Sequence, residues 1–482
     1  MQKNFKTSLL FFLIFFSHKS FSQTIVNGDF EQIDSNLKIK DWKWSNAPGY
    51  KFTADPFTHY SGNYSALLVN EANLASETGG AAFIQPFTAL KTGIKHLKFS
   101  VMVKTQSAAP CGIILNAFCR QYPILSTDMF ERGIGGTLDW KRISTEFTLP
   151  TYTNGMSFGG MLTGSGKIWF DDFKLEELPI EITPAGPALK KYFTEFIDTL
   201  KKNSIRRDSI DFDLLAKDLE IIADGAQTKA EAVKPFQYAF AAMNDNFGAY
   251  YDSLAVVKTE ELKKEAEKNK KVLKIRFPVG GVWRNEFAII RISSFGVQDS
   301  TQAKAYSDSL KNLIFSLENK KPKGWLIDLR DCSAGDRDAL MNGFSPFFYI
   351  KDVLTLHYAN DSIKTWDYSD TTLRKINKKI PIALLTGPPT RTASESVLIA
   401  FKGLDNTRQF GEPTGGASEE AAIFNLSDKA AITFSTGVFS DAKKRKYSGR
   451  IKPDQLVEYP KNTQIKIEED GIVYLATQWI SK

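Results

Sequence analysis

The residues of the sequence best placed to do chemistry are two hydroxyls, Thr392 and Ser394, at the start of a short apolar segment. An apolar run of buried-strand type, residues 381–385, precedes them and is stopped by Gly387-Pro388-Pro389. A helix is predicted from Thr392 onward, with Gly403 as its C-terminal stop. Free backbone N–H groups and the positive end of the helix dipole collect at such a first turn, where they stabilise an oxyanion. The pattern is therefore typical of a serine-type nucleophile on a sharp strand-to-helix turn.

The same residues also fit a purely structural role. Thr392 and Glu395 have the spacing of a capping box, in which the threonine accepts from the third helical N–H and the glutamate reaches back to the N-cap N–H. This spacing before an apolar run is a common helix start. Spacing alone leaves both interpretations open, a catalytic turn and an ordinary cap.

The composition indicates a globular protein of more than one domain. The chain has 482 residues, of which 42% are hydrophobic and 24% are charged, and this length exceeds one ordinary core. The formal net charge is +7, and removal of a leader with its three lysines lowers it to +4. Because the positive charges are mild and scattered, the sequence does not indicate nucleic-acid binding.

Residues 1–22 have the pattern of a secretory signal peptide. Lys3 and Lys6 come before an apolar core at residues 9–16, and small residues precede Gln23. No cysteine follows the predicted cleavage point, and no later apolar run reaches the ~18 residues that a membrane helix needs. The sequence therefore predicts an exported protein, periplasmic or extracellular, without a lipid anchor or a membrane span.

Cysteine and histidine are scarce. Cys111, Cys119 and Cys332 are too few for a disulfide framework, although Cys111 and Cys119 would pair if the chain folded back between them. No Cys/His cluster has the spacing of a metal site, so we expect neither a metal nor another cofactor. Within the C-terminal half the only histidine is His357, which limits the choice of a catalytic base.

Residues 23–178 are predicted to form an all-β jelly-roll sandwich. Short alternating runs at residues 97–103, 143–149 and 167–175 are separated by Gly, Asn, Ser and Pro. A series of motifs here resembles the galactose-binding-like jelly-roll modules of exported bacterial enzymes, which implies a carbohydrate-binding-like module and a glycan as a partner. The series comprises Asn27-Gly28-Asp29-Phe30-Glu31, Ser61-Gly62-Asn63-Tyr64-Ser65, Asp139-Trp140 and Ile168-Trp169-Phe170-Asp171-Asp172-Phe173.

Trp42 and Trp44 are candidates for a sugar-stacking platform in this module. Large aromatic side chains are mostly buried, so both residues also fit the core of the module or its edge.

The rest of the chain changes from helical to α/β patterning. We predict a proline-containing linker at residues 179–187, a helical lead-in at 188–270 and an α/β domain at 271–482. Amphipathic helices are predicted at residues 189–202, 212–224, 230–244 and 302–317, and buried strands at 287–292 and 324–330.

Several motifs of this region, in a fixed order, resemble the tail-specific (C-terminal-processing) serine peptidases, which are related to tricorn protease. They are Asp328-Leu329-Arg330 before a small-residue loop, residues 381–401, Gly411-Glu412-Pro413-Thr414-Gly415-Gly416, Leu426-Ser427-Asp428 and residues 447–454. The resemblance covers about residues 188–460 and implies a crotonase-like (ββα spiral) domain that hydrolyses a polypeptide substrate. The PDZ module of many relatives is not expected, because residues 250–284 are short and charged.

This resemblance assigns roles to individual residues. The nucleophile position, three residues before Glu395, is Thr392, and Ser394 is an alternative only after a two-residue shift. Threonine can attack, but its methyl group restricts χ1 and crowds the approach. The position of the base histidine is taken by Phe247, which cannot accept a proton. The loop that carries a lysine base in other members reads Gly415-Gly416-Ala417 here.

The oxyanion donors implied by the resemblance are the backbone N–H groups of Gly335 and Ala393. Cys332, in the same loop as Gly335, is a conceivable nucleophile, but no base for a thiolate is identifiable. His357 belongs to a different segment and fits a surface or strand histidine.

Base catalysis contributes roughly 10²–10⁴ in rate, so a hydroxyl without a base is a poor nucleophile. We therefore predict a weakly active or inactive member of this serine peptidase family. The alternatives are an active peptidase with an unrecognised base, and a non-catalytic peptide- or carbohydrate-binding protein on the same scaffold.

Overall fold

The computed structural model describes residues 25–45, 47–70, 80–88, 93–128, 133–268, 275–368, 374–458 and 469–482, so the predicted signal peptide lies outside it. The chain divides into two compact units. Unit 1 extends to Phe118 and includes Leu125–Leu149 and Asn154–Glu181; unit 2 consists of Cys119–Ile124, Pro150–Thr153 and Ile182–Lys482. No helix of the described residues is long and apolar enough to cross a membrane. The finer domain limits stay predictions.

The N-terminal region is built from antiparallel strands, which confirms the prediction of a β-rich domain. The strands are β1 (Lys43–Trp44), β2 (Lys51–Asp55), β3 (Ser65–Asn70), β4 (Ala81–Thr88), β5 (Lys95–Cys119), β6 (Tyr122–Asp128), β7 (Ile134–Leu149), β8 (Gly155–Leu162) and β9 (Gly166–Leu178). Their order is β1-β4-β8-β5-β9-β3-β2, and β6 and β7 also pair with β5. The three alternating runs of the sequence lie within the longer strands β5, β7 and β9.

The core of unit 1 is aromatic and contains Trp42. The Trp42 side chain is only 6% exposed, and its ring lies 5.3 Å from that of Phe30 and 5.0 Å from that of Phe173. Its Nε1 donates to the backbone oxygen of Asn27 at 3.0 Å. Trp42 is therefore a core residue with no ring face open to a sugar, in contrast to the sugar-platform hypothesis.

Unit 2 contains the predicted helices together with further helices and strands. The helices are α1 (Pro187–Asn203), α2 (Phe212–Ala223), α3 (Val233–Met243), α4 (Ser253–Lys268), α5 (Ser300–Glu318), α6 (Arg337–Gly343), α7 (Ala393–Lys402) and α8 (Gly471–Ile480). The strands are β10 (Ala249–Tyr251), β11 (Val279–Trp283), β12 (Phe287–Arg291), β13 (Gly324–Asp328), β14 (Leu354–Tyr358), β15 (Ile363–Trp366), β16 (Ile382–Thr386), β17 (Thr407–Gly411), β18 (Glu419–Asn425), β19 (Ala431–Asp441), β20 (Lys446–Tyr447) and β21 (Gln455–Leu456).

The lead-in helices α1 to α3 pack through their apolar faces. Asp211 caps α2 by accepting from the N–H groups of Asp213 and Leu214. Between α1 and α3, the rings of Phe196 and Phe236 stack with centroids 3.9 Å apart. This packing fixes the C-terminal end of α3, where the chain enters the segment that contains Phe247.

One sheet of unit 2 has the order β11-β12-β13-β16-β17-β21. Its strands β12, β13, β16 and β17 run parallel. Every residue of β13 and β16 is buried, as expected for parallel strands covered on both faces. Because parallel strands end at the same edge of a sheet, the loops after β13 and β16 meet there.

A second sheet of unit 2 has the order β10-β19-β14-β15, with β18 and β20 also paired to β19. The α/β character predicted for this region is thus observed. Its description as a crotonase-like spiral stays a prediction.

Candidate active site

The turn between β16 and α7 has a strained backbone at Thr392. This residue is the N-cap of α7 and has φ 54° and ψ −116°. A β-branched residue at positive φ is a genuine outlier, and such conformations cost about 1–3 kcal/mol each. A sharp, strained strand-to-helix turn is the arrangement that presents a nucleophilic hydroxyl at the top of a sheet. An ordinary N-cap has extended backbone and needs no such strain.

Glu395 holds this turn in place. Its carboxylate is fully buried and accepts from the N–H groups of Thr392 (3.0 Å), Gly416 (3.1 Å) and Ala417 (2.8 Å), and from the Thr414 hydroxyl. Burial raises the pKa of Glu395, although these donors act to lower it. The arm of the predicted capping box that reaches back from Glu395 is therefore present. It also ties the turn to the loop after β17.

Ser394, the alternative nucleophile, is buried and hydrogen-bonds to the protein backbone. Its side chain is completely buried, and its Oγ lies 2.8 Å from the backbone oxygens of both Cys332 and Arg391. The backbone N–H of Arg391 also donates to the Cys332 oxygen, at 3.1 Å. The geometry thus gives Ser394 a structural role and leaves Thr392 as the hydroxyl at the strained position.

These bonds bring the two candidate oxyanion segments together. Ala393 is the first residue of α7, and Gly335 lies in the loop that follows Cys332. A Cβ at Gly335 would come within 2.7 Å of the Phe295 ring, so this position has no room for a side chain. Within the described residues, the backbone N–H groups of Ala393 and Gly335 have no hydrogen-bond acceptor. Their role as oxyanion donors stays a prediction.

The segment around Phe247 is connected to the same loop as Glu395. Asn246 Nδ2 donates to the Gly416 oxygen at 2.9 Å. Phe247 is half-buried, and its N–H donates to Asp245 Oδ1 at 2.9 Å. A Cβ at Gly248 would come within 2.4 Å of the Phe240 ring, so a serine cannot occupy that position unless Phe240 moves. The structure thus joins this segment to Thr392 through three hydrogen bonds in series, by way of Gly416 and Glu395.

The described residues place no titratable side chain in hydrogen-bond contact with the Thr392 hydroxyl. His357 lies on β14 in the second sheet, where its Nε2 is 2.8 Å from Ser440 Oγ. Burial and two nearby lysines, Lys446 and Lys444, lower the pKa of His357. Burial raises the pKa of the Cys332 thiol to about 11, which keeps it protonated and unreactive at neutral pH.

A buried polar network beside Asp245 was missed by sequence reasoning. Ser435 Oγ lies 2.9 Å from both Asp245 Oδ1 and Glu419 Oε2, and Glu419 also accepts from Arg206 at 2.7 Å and from the Ser448 hydroxyl. One hydroxyl donates to only one of two carboxylates. Burial raises the pKa of Asp245, which favours a proton on this residue to complete the pair. The only sequence signal was an acidic residue directly after an apolar helix.

Cys111, Cys119 and Cys332 are all free and buried, so the suggested Cys111–Cys119 pair is not formed. Among the described residues, no group of three or more His, Cys, Asp or Glu side chains is arranged to hold a metal ion.

The strained turn, its buried glutamate and the loop after β13 all lie within one region that is similar to a known protein family. Residues 286–457 match the model of Peptidase family S41. The C-terminal half of the chain is therefore similar to the S41 peptidases over residues 286–457, which confirms the resemblance found in the sequence.

Individual relatives are distant. A curated relative from Bacillus subtilis (strain 168), the HTH-type transcriptional regulator YbfP, is 26% identical over 146 residues, which is 29% of this chain and 49% of that protein. The chain thus spans about half the length of the curated relative that it matches.

Solved structures match each half separately. A lipoprotein from Streptococcus agalactiae is 20% identical, with a TM-score of 0.44, and the match covers 63% of this chain and 99% of that one. The photosystem II D1 C-terminal processing protease is 12% identical, with a TM-score of 0.43, and covers 60% and 96%. The CBM22-1 xylan-binding domain of Paenibacillus barcinonensis Xyn10C is 12% identical, with a TM-score of 0.23, and covers 32% and 94%.

Proposed function

We propose that this protein is an exported polypeptide-binding member of the S41 peptidase family whose hydrolytic activity is weak or absent. The observation that carries the proposal is the strained backbone of Thr392 without a proton acceptor at its hydroxyl. The strained turn supports Thr392 as the nucleophile position. The phenyl ring of Phe247 occupies the sequence position where a histidine base is expected, and a ring without nitrogen cannot take up a proton.

Two further features support a loss of catalysis rather than a relocated base. The loop that would supply a lysine has Ala417 instead, and its N–H is used to hold Glu395. Glu395 itself is committed to four donors in the interior. General-base catalysis contributes roughly 10²–10⁴ in rate, so a turn of this kind without a base is expected to turn over close to background.

The proposal is tested by restoring the missing parts. Fluorescein-labelled unfolded casein serves as substrate for the wild type, for Thr392→Ala and for the double variant Phe247→His/Thr392→Ser. We expect wild type and Thr392→Ala to be equal at background, and the double variant to gain roughly 10²-fold or more. The matched control is Phe247→Gln/Thr392→Ser, in which the glutamine is polar but cannot act as a base. Efficient casein cleavage by the wild type that disappears in Thr392→Ala would overturn the proposal.

A second candidate function is glycan binding by unit 1. The Tyr60 side chain is 50% exposed, and its ring lies 5.9 Å from that of Trp140. Asp171 accepts from the backbone N–H groups of Tyr60 (2.8 Å) and Ser61 (3.0 Å), which fixes the loop that presents the ring. Rigid aromatic side chains with one exposed face are suited to stack on the apolar face of a sugar ring.

The glycan function is tested on the full chain with xylohexaose and β-1,4-galactotriose as probes in calorimetric titrations. Tyr60→Ala is expected to lower the affinity at least tenfold. The matched control is Tyr474→Ala, which removes a tyrosine of similar exposure (52%) from unit 2. Equal loss in both variants, or no binding of either probe by the wild type, would count against this site.

A further inference from the structure

The sheet that carries the candidate active site ends at an unusually open edge. Among the described strands, β11 pairs only with β12, so its other side has no partner. Its sequence is Val-Gly-Gly-Val-Trp; Val279 is 60% exposed, and Gly280 and Gly281 are exposed too. Natural proteins usually protect edge strands with lysine, proline or a bulge. β11 has none of these protections over its five residues.

The pairing pattern identifies the backbone groups that face outward. The N–H of Ile292 donates to the backbone oxygen of Asp328, and the backbone oxygen of Glu286 accepts from the N–H of Lys323. The even-numbered residues of 286–292, which include β12, therefore bond toward β13. The odd-numbered residues of β12 therefore bond toward β11, where their register partners are Val279, Gly281 and Trp283. Gly280 and Val282 must then direct their N–H and C=O groups away from the sheet.

The surface beside this edge has room for the side chains of an added strand. A depression of about 320 Å³ is lined by β11 together with Ile289 and Arg291. A Cβ added at Gly281 would meet no atom within 4 Å, so the approach is open there. In strand addition, main-chain hydrogen bonds supply affinity and shallow pockets for alternate side chains supply selectivity.

The register across the sheet directs this edge toward the candidate active site. Val279 pairs with Arg291, Arg291 with Asp328, and Asp328 with Leu385. Val279 is therefore level with the ends of β13 and β16, which lead into the Cys332 loop and the Thr392 turn. Three strand spacings separate the two places, about 14 Å, which a few extended residues can span.

We propose that β11 is a docking edge for an extended polypeptide, which adds to the sheet as a further strand and runs toward the Thr392 turn. Only an extended chain offers alternating donors and acceptors at the spacing of Gly280 and Val282. The inference rests on the proposed function for the identity of the ligand, and it adds where that polypeptide binds.

The first test is amide hydrogen exchange with a defined probe, a nine-residue peptide of alternating valine and threonine with lysine at both ends. In the free protein the amides of Gly280 and Val282 are expected to exchange much faster than that of Gly281. Saturating peptide is expected to slow both at least tenfold. The amides of β15, an edge strand of the second sheet, are the internal control and stay unchanged. Unchanged exchange at Gly280 and Val282 would overturn the proposal.

The second test removes the donor itself. Val282→Pro deletes an outward N–H at an edge position that tolerates proline, and Val282→Ala makes a similar loss of packing but keeps the N–H. We expect at least a tenfold loss of peptide affinity in Val282→Pro and less than threefold in Val282→Ala; equal losses would contradict strand addition.

N-methylated peptides keep this test independent of how the variants fold. Two versions of the peptide are compared, one N-methylated at the odd positions and the other at the even positions. One version is expected to lose binding and the other to keep it, because alternate residues of a strand bond to the same neighbour. If neither version loses affinity, the proposed docking edge is wrong. All of these measurements report binding alone. Casein cleavage by the wild type would therefore refute the proposed inactivity and leave the docking edge standing.

Discussion

Replacement of Thr392 by glycine separates a strained nucleophile position from an ordinary helix cap. At φ 54° and ψ −116°, a β-branched side chain costs about 1–3 kcal/mol, and glycine relieves that cost. Glycine in turn costs about 0.5–1 kcal/mol because it loses more backbone entropy on folding. As a weaker N-cap it costs a further few tenths of a kcal/mol. The net expectation for Thr392→Gly is a change in the free energy of unfolding between about zero and +2 kcal/mol.

The chain provides a matched control in Thr228. This residue is also followed by a glutamate at the third helical position, Glu231, but its backbone is extended, with φ −114° and ψ 152°. Thr228→Gly has the same entropic cost without any relief of strain, and it also removes the exposed hydrogen bond from Thr228 Oγ1 to Glu231 Oε2 at 2.7 Å. It is expected to lower the free energy of unfolding by about 0.5–1.5 kcal/mol. The difference between the two variants measures the strain at Thr392 once the loss in Thr228→Val, which removes the same hydroxyl and keeps a β-branched side chain, has been subtracted.

The assay is thermal and urea unfolding of both variants beside the wild type, followed by circular dichroism. For a folding unit of this size, 1 kcal/mol corresponds to a shift in Tm of roughly 2 °C, so the two variants are expected to differ by about 2–6 °C. If both glycine variants lose stability equally, Thr392 stores no strain. The interpretation of the turn as a nucleophile position would then lose the observation on which it depends.

Three further predictions concern buried groups. The pKa of Glu395 is raised in the folded protein. The contribution of Glu395 to stability is therefore complete below the unfolded pKa of 4.5 and is lost as the pH rises through the folded pKa. The difference in urea midpoint between the wild type and Glu395→Gln should accordingly be larger in favour of the wild type at pH 4 than at pH 7. Arg330→Met removes the ion-pair partner of the buried Asp470 carboxylate and leaves Asp328 with Arg291, at 3.3 Å, as its remaining ion-pair partner, so it is expected to cost about 3–5 kcal/mol in urea unfolding. Lys304→Met, at an exposed pair, should change the free energy of unfolding by less than about 1 kcal/mol. Native protein should incorporate almost no iodoacetamide at pH 8 and three equivalents in urea, because burial raises the thiol pKa of Cys111 to about 12 and that of Cys119 and Cys332 to about 11.

The parts of the fold that follow from local patterns were predictable from the sequence. The apolar run at residues 381–385 became the buried strand β16, and the helix expected after Thr392 is α7, with Gly403 as its C-cap. Periodicity and stop signals are local properties, so a single sequence carries them. The assignment of the nucleophile position to Thr392, three residues before Glu395, depends on the family resemblance and stays a prediction.

The parts that depend on long-range packing were not predictable. Trp42 and Trp44 are close in sequence, yet Trp42 is in the aromatic core and Trp44 is half-buried at its edge, because β1 meets the sheet at that point. The shared hydroxyl of Ser435 joins Asp245 to Glu419 across 190 and 16 residues of sequence, a contact that no local pattern records. Backbone dihedral angles such as those of Thr392 are also set by tertiary contacts.

The capping and catalytic interpretations of the Thr392 turn are compatible. The strained backbone of Thr392 alone therefore does not show whether the site is active. Glu395 is bound by the N–H of Thr392 and by two N–H groups of the following loop, while Ser394 is bound to the Cys332 loop. These interior contacts hold the strained conformation without any contribution from a base. The turn therefore does not need catalysis to keep its shape, and its geometry is compatible with a nucleophile position without establishing activity. Under the proposed function, the side chain at position 247 is the part that limits activity, because Phe247 stands where a proton acceptor is expected.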